Sequence, residues 1–185
     1  MPRKIVEERW IQLPSLPAGS ESSLGVVDLV HADGSVRRLW TKDDGVQVLG
    51  MTPEGQILAI HERGYTHLVS GYVEPGEAPE AAARRELREE TGYEAGSLEL
   101  ISTVYFDSGG SKRTNSLFLA TDCQRVADAE KGIITILMSP AEFWRHITSY
   151  MSEQGSPRKG IMSLTVATLV FTRLGLLKFE PQEEA

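Results

Sequence analysis

The stretch GYVEPGEAPEAAARRELREETGY, residues 71–93, crowds six glutamates and three arginines between two glycines. Pro79 followed by an alanine-rich run begins a helix, because proline at the first helical position gives up only an amide that the helix leaves unbonded, and Gly92 ends it. On that helix Glu86, Glu89 and Glu90 stand at i, i+3 and i+4, so three carboxylates leave one face within one turn. Like charges so spaced repel by about 0.2–0.5 kcal/mol per pair even when exposed. Leu87, with Ala82 and Ala83, gives the helix its packing face, which puts the carboxylates at the border of the core. Two readings compete. One is a solvated face laced with Glu/Arg pairs. The other is an oxygen-rich site for a hard divalent cation such as Mg²⁺, which takes oxygen ligands and keeps some of its waters.

The remainder of the chain bears on that choice. Its 185 residues, 41% hydrophobic and 24% charged, suit one globular domain or one domain with a small appendage. A net charge of −7 and a pI near 5.2 argue against gripping nucleic acid by its phosphates, which needs concentrated Lys and Arg. An acidic protein can bind a phosphate compound through bridging metal ions that neutralise it. The single Cys123 has no disulfide partner and no CxxC neighbour, and MPRKIVEERW lacks the apolar run of a secretory signal; both lead us to expect a cytoplasmic chain. Residues 161–177 are the most apolar segment, but Ser163, Thr165, Thr168, Thr172 and Arg173 make it a buried helix rather than a membrane span.

Around the charged helix the pattern alternates strands with helices. The first twenty-odd residues, with prolines and GSESS, read as a loose arm. Residues 25–30 and 36–41 flank HADGS, and residues 46–51 and 57–62 flank TPEG, so each pair reads as a β-hairpin. Residues 98–106, 116–121 and 133–138 are further strands, with the polar loop DSGGSKRTN between the first two. Ser139 caps a helix with Pro140 first and Glu142 third, and a last helix covers residues 161–173. This order implies an α/β layered fold with a mixed sheet. The four histidines show no ligand spacing, Cys123 reads as buried rather than nucleophilic, and Trp10 and Trp144 read as packing residues.

Gly71, Glu77, Arg85-Glu86-Leu87, Glu89-Glu90 and Gly92, at their spacing, resemble the Nudix box at every fixed position, with Tyr93 where the family usually has an aliphatic residue. The resemblance implies a Nudix-type α/β/α sandwich with a mixed β-sheet over residues 45–185. It also implies an N-terminal arm and β-hairpin extension over residues 1–44 that serves dimerisation and borders the substrate. Implied with it is a Mg²⁺- or Mn²⁺-dependent pyrophosphohydrolase, in which water attacks a phosphorus of a nucleoside diphosphate derivative. The layout is similar to the ADP-ribose and nucleoside-diphosphate-sugar pyrophosphatases, many of them homodimers. By position, Glu86, Glu90 and the Gly71 carbonyl would be metal ligands. Glu89 would be a ligand or the group that orients the water, Arg85 would hold the carboxylates through Glu77, and Glu130 would assist from its loop. Trp40, Arg63, Ser108 and Arg113 would meet substrate. Ser108 and Gly109 stand where the ADP-ribose group has a proline, and of that group's acidic loop pair this chain offers Asp128 and Glu130. Two alternatives stay open: a Nudix-fold nucleotide sensor without turnover, and a hydrolase of another nucleotide class such as a (d)NTP.

Overall fold

The computed structural model describes residues 4–11, 25–41, 44–105, 111–152 and 158–177. In chain order the strands up to the charged helix are β1 (Ile5–Ile11), β2 (Gly25–His31), β3 (Val36–Thr41), β4 (Gly45–Met51), β5 (Ile57–Glu62), β6 (Tyr65–His67) and β7 (Val69–Tyr72). There follow α1 (Pro79–Thr91), β8 (Tyr93–Glu94), β9 (Ser97–Tyr105), β10 (Ser111–Lys112), β11 (Thr114–Thr121), β12 (Gln124–Arg125), β13 (Ile134–Met138), α2 (Pro140–Ser152) and α3 (Arg158–Arg173).

The central sheet runs β13-β5-β4-β11-β9, with β6 paired to β5 and β7 to β4. It is mixed: β11 lies parallel to β4 and antiparallel to β9. The near-continuous apolar character of β4, β5 and β11 follows from burial on both faces. On one face Leu49, Leu117 and Leu119 meet Phe143 and Ile147 of α2 and Val166, Val170 and Phe171 of α3. On the other, Val46, Val48, Val69 and Phe118 meet Ala82, Ala83 and Leu87 of α1. The result is an α/β/α sandwich.

α1 begins at Pro79 with no side-chain cap and ends at Gly92, whose φ of 75° is left-handed and whose N–H bonds to the Arg88 carbonyl at 2.8 Å. A glycine adopts that conformation at no steric cost. The end of α1 also carries the next loop: the N–H groups of Val126 and Ala127 donate to the Gly92 carbonyl, and that of Glu130 to the Glu89 carbonyl at 2.8 Å. At α2 the expected capping box forms, with Ser139 N–H and Oγ–H donating to Glu142 and Glu142 N–H returning to Ser139 Oγ.

The expectation of a loose N-terminal arm needs correction in part. Residues 5–11 form β1, antiparallel to β2, and β10 adds to β3, giving a second sheet in the order β1-β2-β3-β10. The alternation in IVEERWI is weak, and the strand exists because β2 offers a free edge. Among the described residues no helix is long and apolar enough to cross a membrane.

Candidate active site

α1 lies across β7 so that its carboxylates meet that strand's backbone. Glu90 Oε2 accepts the Ser70 N–H at 3.0 Å. The Glu86 carboxyl occupies the space that a Cβ on Gly71 would fill, so only glycine lets a carboxylate come this close to the strand. Glu86 is mostly buried, and burial pushes its carboxyl above the ordinary glutamate value, against the opposing pull of Arg85.

Arg85 is the hub of the cluster. Its Nε and Nη2 donate to the two oxygens of Glu77, both at 3.0 Å, its Nη1 donates to Glu86 at 2.7 Å and Glu89 at 3.2 Å, and its Nη2 also reaches the Tyr72 carbonyl at 2.9 Å. Such a two-pronged pair fixes both direction and distance. The Arg85 bond holds the Glu77 carboxyl below its ordinary value, with help from the Glu74 N–H, and Glu77 in turn raises Arg85 further above neutral pH. One guanidinium thus ties Glu77 of the preceding loop, β7 and two other α1 residues together.

Beside this cluster opens a cleft of about 410 Å³. It reaches from Glu90 and Gly71 to Arg63 at the end of β5 and Arg113 before β11. Arg113 lies over the Tyr72 ring, 5.2 Å from its centroid, and its Nε is buried with no hydrogen-bond partner among the described residues. Arg63, in a left-handed turn with φ 52°, bonds to its neighbour Glu62 at 3.0 Å.

The sequence-predicted residues therefore divide. Gly71, Glu86 and Glu90 come together with Arg85, and Arg63 and Arg113 line the adjoining cleft. Glu89 is half exposed and borders a separate recess with Arg88, Ala127 and Asp128. Glu130 is exposed, on a loop whose backbone is fastened to α1. Trp40 sits in β3 opposite Ser111, its side chain outside the described residues, and Ser108 lies outside them altogether.

The donor set suits a hard divalent cation: carboxylate oxygens of Glu86 and Glu90 against the Gly71 backbone. Each carboxylate is turned to a donor of its own, and among the described residues no three acidic, histidine or cysteine side chains stand together as a ready cage. Mg²⁺ needs none, since it is commonly held by one or two carboxylates, substrate phosphate and water.

Residues 41–160 match the NUDIX domain. The chain belongs to the Nudix family. It is 34% identical over 127 residues to the ADP-ribose pyrophosphatase of Bacillus subtilis (strain 168), spanning 64% of this chain and 69% of that one. It is 28% identical over 134 residues to the methanol dehydrogenase activator of Bacillus methanolicus, 68% of this chain and 72% of that one. A crystal structure of an ADP compounds hydrolase has the same fold, with a TM-score of 0.62 over 94% of both chains at 15% identity.

Within this Nudix chain, sequence reasoning missed Gln47 and Asn115. Both line the cleft, at 2% and 6% exposure, and the Gln47 Oε1 and Asn115 Oδ1 atoms have no hydrogen-bond partner among the described residues. A buried acceptor left so costs about 1–3 kcal/mol. The signal was available: a glutamine inside VQVLGM and an asparagine ahead of SLFLAT are polar side chains on strands buried on both faces. Cys123 is buried as expected, which pushes its thiol up to about 11. Trp144 packs on Phe171 with ring centroids 5.9 Å apart.

Proposed function

We propose that this protein is a divalent-metal-dependent pyrophosphohydrolase that cleaves the diphosphate of ADP-ribose or a similar nucleotide sugar. The observation that carries the reading is the laying of Glu86 and Glu90 onto the β7 backbone at Gly71, beside a cleft that presents two arginines. The substrate class is supported by the names of the Bacillus subtilis relative and of the structural neighbour. Glu86, Glu90 and the Gly71 carbonyl hold Mg²⁺ or Mn²⁺. Bound there, the ion supplies Lewis-acid neutralisation of charge on the phosphate oxygens. Arg63 and Arg113 bind and orient the diphosphate, Arg85 holds the carboxylates in register, and Trp40 and Ser108 border the substrate.

Glu89 orients the attacking water and accepts its proton, with Glu130 assisting from the loop that hangs on α1. General-base assistance is worth roughly a hundred- to ten-thousand-fold. The test is release of nucleoside monophosphate from a panel of nucleotide sugars and (d)NTPs with Mg²⁺ or Mn²⁺. Turnover that Glu90→Gln abolishes in a folded protein is expected, with kcat falling by that factor in Glu89→Gln and much less in Glu130→Gln. The reverse order would move the base to the loop.

A second reading is a nucleotide-binding regulator without turnover; the Bacillus methanolicus relative is named an activator, which supports a regulatory role. It predicts nucleotide binding and no product in the same panel. The working form is a cytoplasmic homodimer, joined partly by residues 1–44.

A further inference from the structure

We infer that Gln47 and Asn115 form a wall of the cleft that reads the hydroxyl groups of a sugar phosphate. The inference rests on the nucleotide-sugar reading above for what enters the cleft. The two side chains belong to neighbouring parallel strands, with Gly45 opposite Asn115 and Gln47 opposite Leu117, so they are diagonal neighbours on one sheet face. The Gln47 amide is oriented from behind: its Nε2 donates to Ser163 Oγ at 3.0 Å, and that same oxygen accepts the Leu68 N–H at 3.2 Å. This leaves the Gln47 carbonyl oxygen as the unused end.

Asn115 Oδ1 lies 2.8 Å from where a Cβ on Gly45 would stand, and the Gly71 carbonyl lies 3.3 Å from that same point. The wall therefore begins beside the strand that α1's carboxylates meet. Two buried acceptors without partners select a ligand that brings donors. An exocyclic amine of a base and a pair of sugar hydroxyls both qualify, and the rest of the lining decides between them. Base recognition wants an open aromatic or apolar slab, whereas the Tyr72 ring here carries the Arg113 guanidinium over its face. Glu62, Arg63, His67, Ser70 and Glu90 make most of the remaining wall polar, with Val46 its one apolar side chain. A polyol bearing a phosphate matches all of these, with Arg113 facing the phosphate.

The experiment is a chemical-shift titration of the isotopically labelled protein, in buffer containing Mg²⁺, with ribose 5-phosphate, 2-deoxyribose 5-phosphate and methyl phosphate. Ribose 5-phosphate is expected to bind at least ten-fold more tightly than methyl phosphate, with the 2-deoxy compound in between. Gln47→Met and Asn115→Leu, close in volume to the residues they replace, should each erase most of that advantage and leave methyl phosphate within two-fold of wild type. Equal affinity of the wild type for ribose 5-phosphate and methyl phosphate overturns the wall, and needs no variant to fold. Equal losses for both ligands in folded variants overturn it too. A wild type that turns over no nucleotide yet keeps the sugar preference sinks the hydrolase reading and leaves the wall standing. Turnover without the preference does the opposite.

Discussion

A methyl group at Gly71 would fall on the Glu86 carboxyl. Gly71→Ala therefore forces either the side chain of Glu86 or the β7 backbone to move, and overpacking of this kind costs about 1–3 kcal/mol. Turnover should fall by at least a hundred-fold, because a carboxylate displaced by an ångström is enough for such a loss. Wild-type kcat in this variant would remove Glu86 from the site. Glu77 carries a second prediction. Its bonds to Arg85 hold its folded-state pKa below the ordinary 4.5, so the folded protein takes up that proton less readily than the unfolded chain. The stabilisation is complete above the ordinary value and is lost as the pH falls through the lowered one. Glu77→Gln should cost roughly 1–3 kcal/mol at pH 7, and urea titrations repeated toward pH 3 should show the gap to wild type closing. A gap independent of pH would mean that the charge of Glu77 is not what matters. Glu86 and Glu90 were legible in the sequence because helical geometry turns a fixed spacing into one face, whereas Glu77, which precedes α1, and Arg85 were legible only through the resemblance to the Nudix box. Gln47 and Asn115 were not, since only the pairing of β4 with β11 brings them together.

At the scale of elements, α1 and its exit loop behave as one unit. Gly92 sits at a left-handed φ, and a Cβ there would meet the Ala127 carbonyl of the loop that hangs from the helix end. Gly55 has nearly the same φ, 80°, with nothing within 4 Å of its would-be Cβ. Gly55→Ala should therefore cost only the left-handed penalty of about 1–2 kcal/mol. Gly92→Ala should cost clearly more, the difference in denaturation midpoints measuring the helix–loop contact. Equal losses would show that the loop shifts freely, and with it Glu130. The hairpins β2–β3 and β4–β5, both larger helix boundaries of α1 and the capping box of α2 could be read from local residue chemistry. The strands β1, β10 and β12 could not, because short or charged strands owe their form to a partner edge that lies elsewhere in the sequence, and β6 could not because three residues folded back on β5 are too few to show a period.

At the scale of the molecule the two sheets differ in how well they are covered. The inner strands β4, β5 and β11 of the central sheet are buried on both faces, whereas in the β1-β2-β3-β10 sheet Leu29 is buried but Ile5, Val6 at 57% and Val36 at 55% face outward. Exposed apolar residues scattered singly mean little. Here they lie on a small sheet built from a hairpin, one more strand and a two-residue edge, and so thin a sheet gains stability when its apolar side chains are covered. A second copy of the chain is the partner expected from residues 1–44. Light scattering at micromolar concentration should give twice the mass of one chain. Val6→Asp with Val36→Asp should halve that mass, since two carboxylates buried in an apolar contact have no partner. The variant should keep its far-ultraviolet circular dichroism, because neither side chain serves the monomer's core. A wild-type monomer under these conditions would remove the dimer, and a variant that stays dimeric would place the contact elsewhere on the molecule.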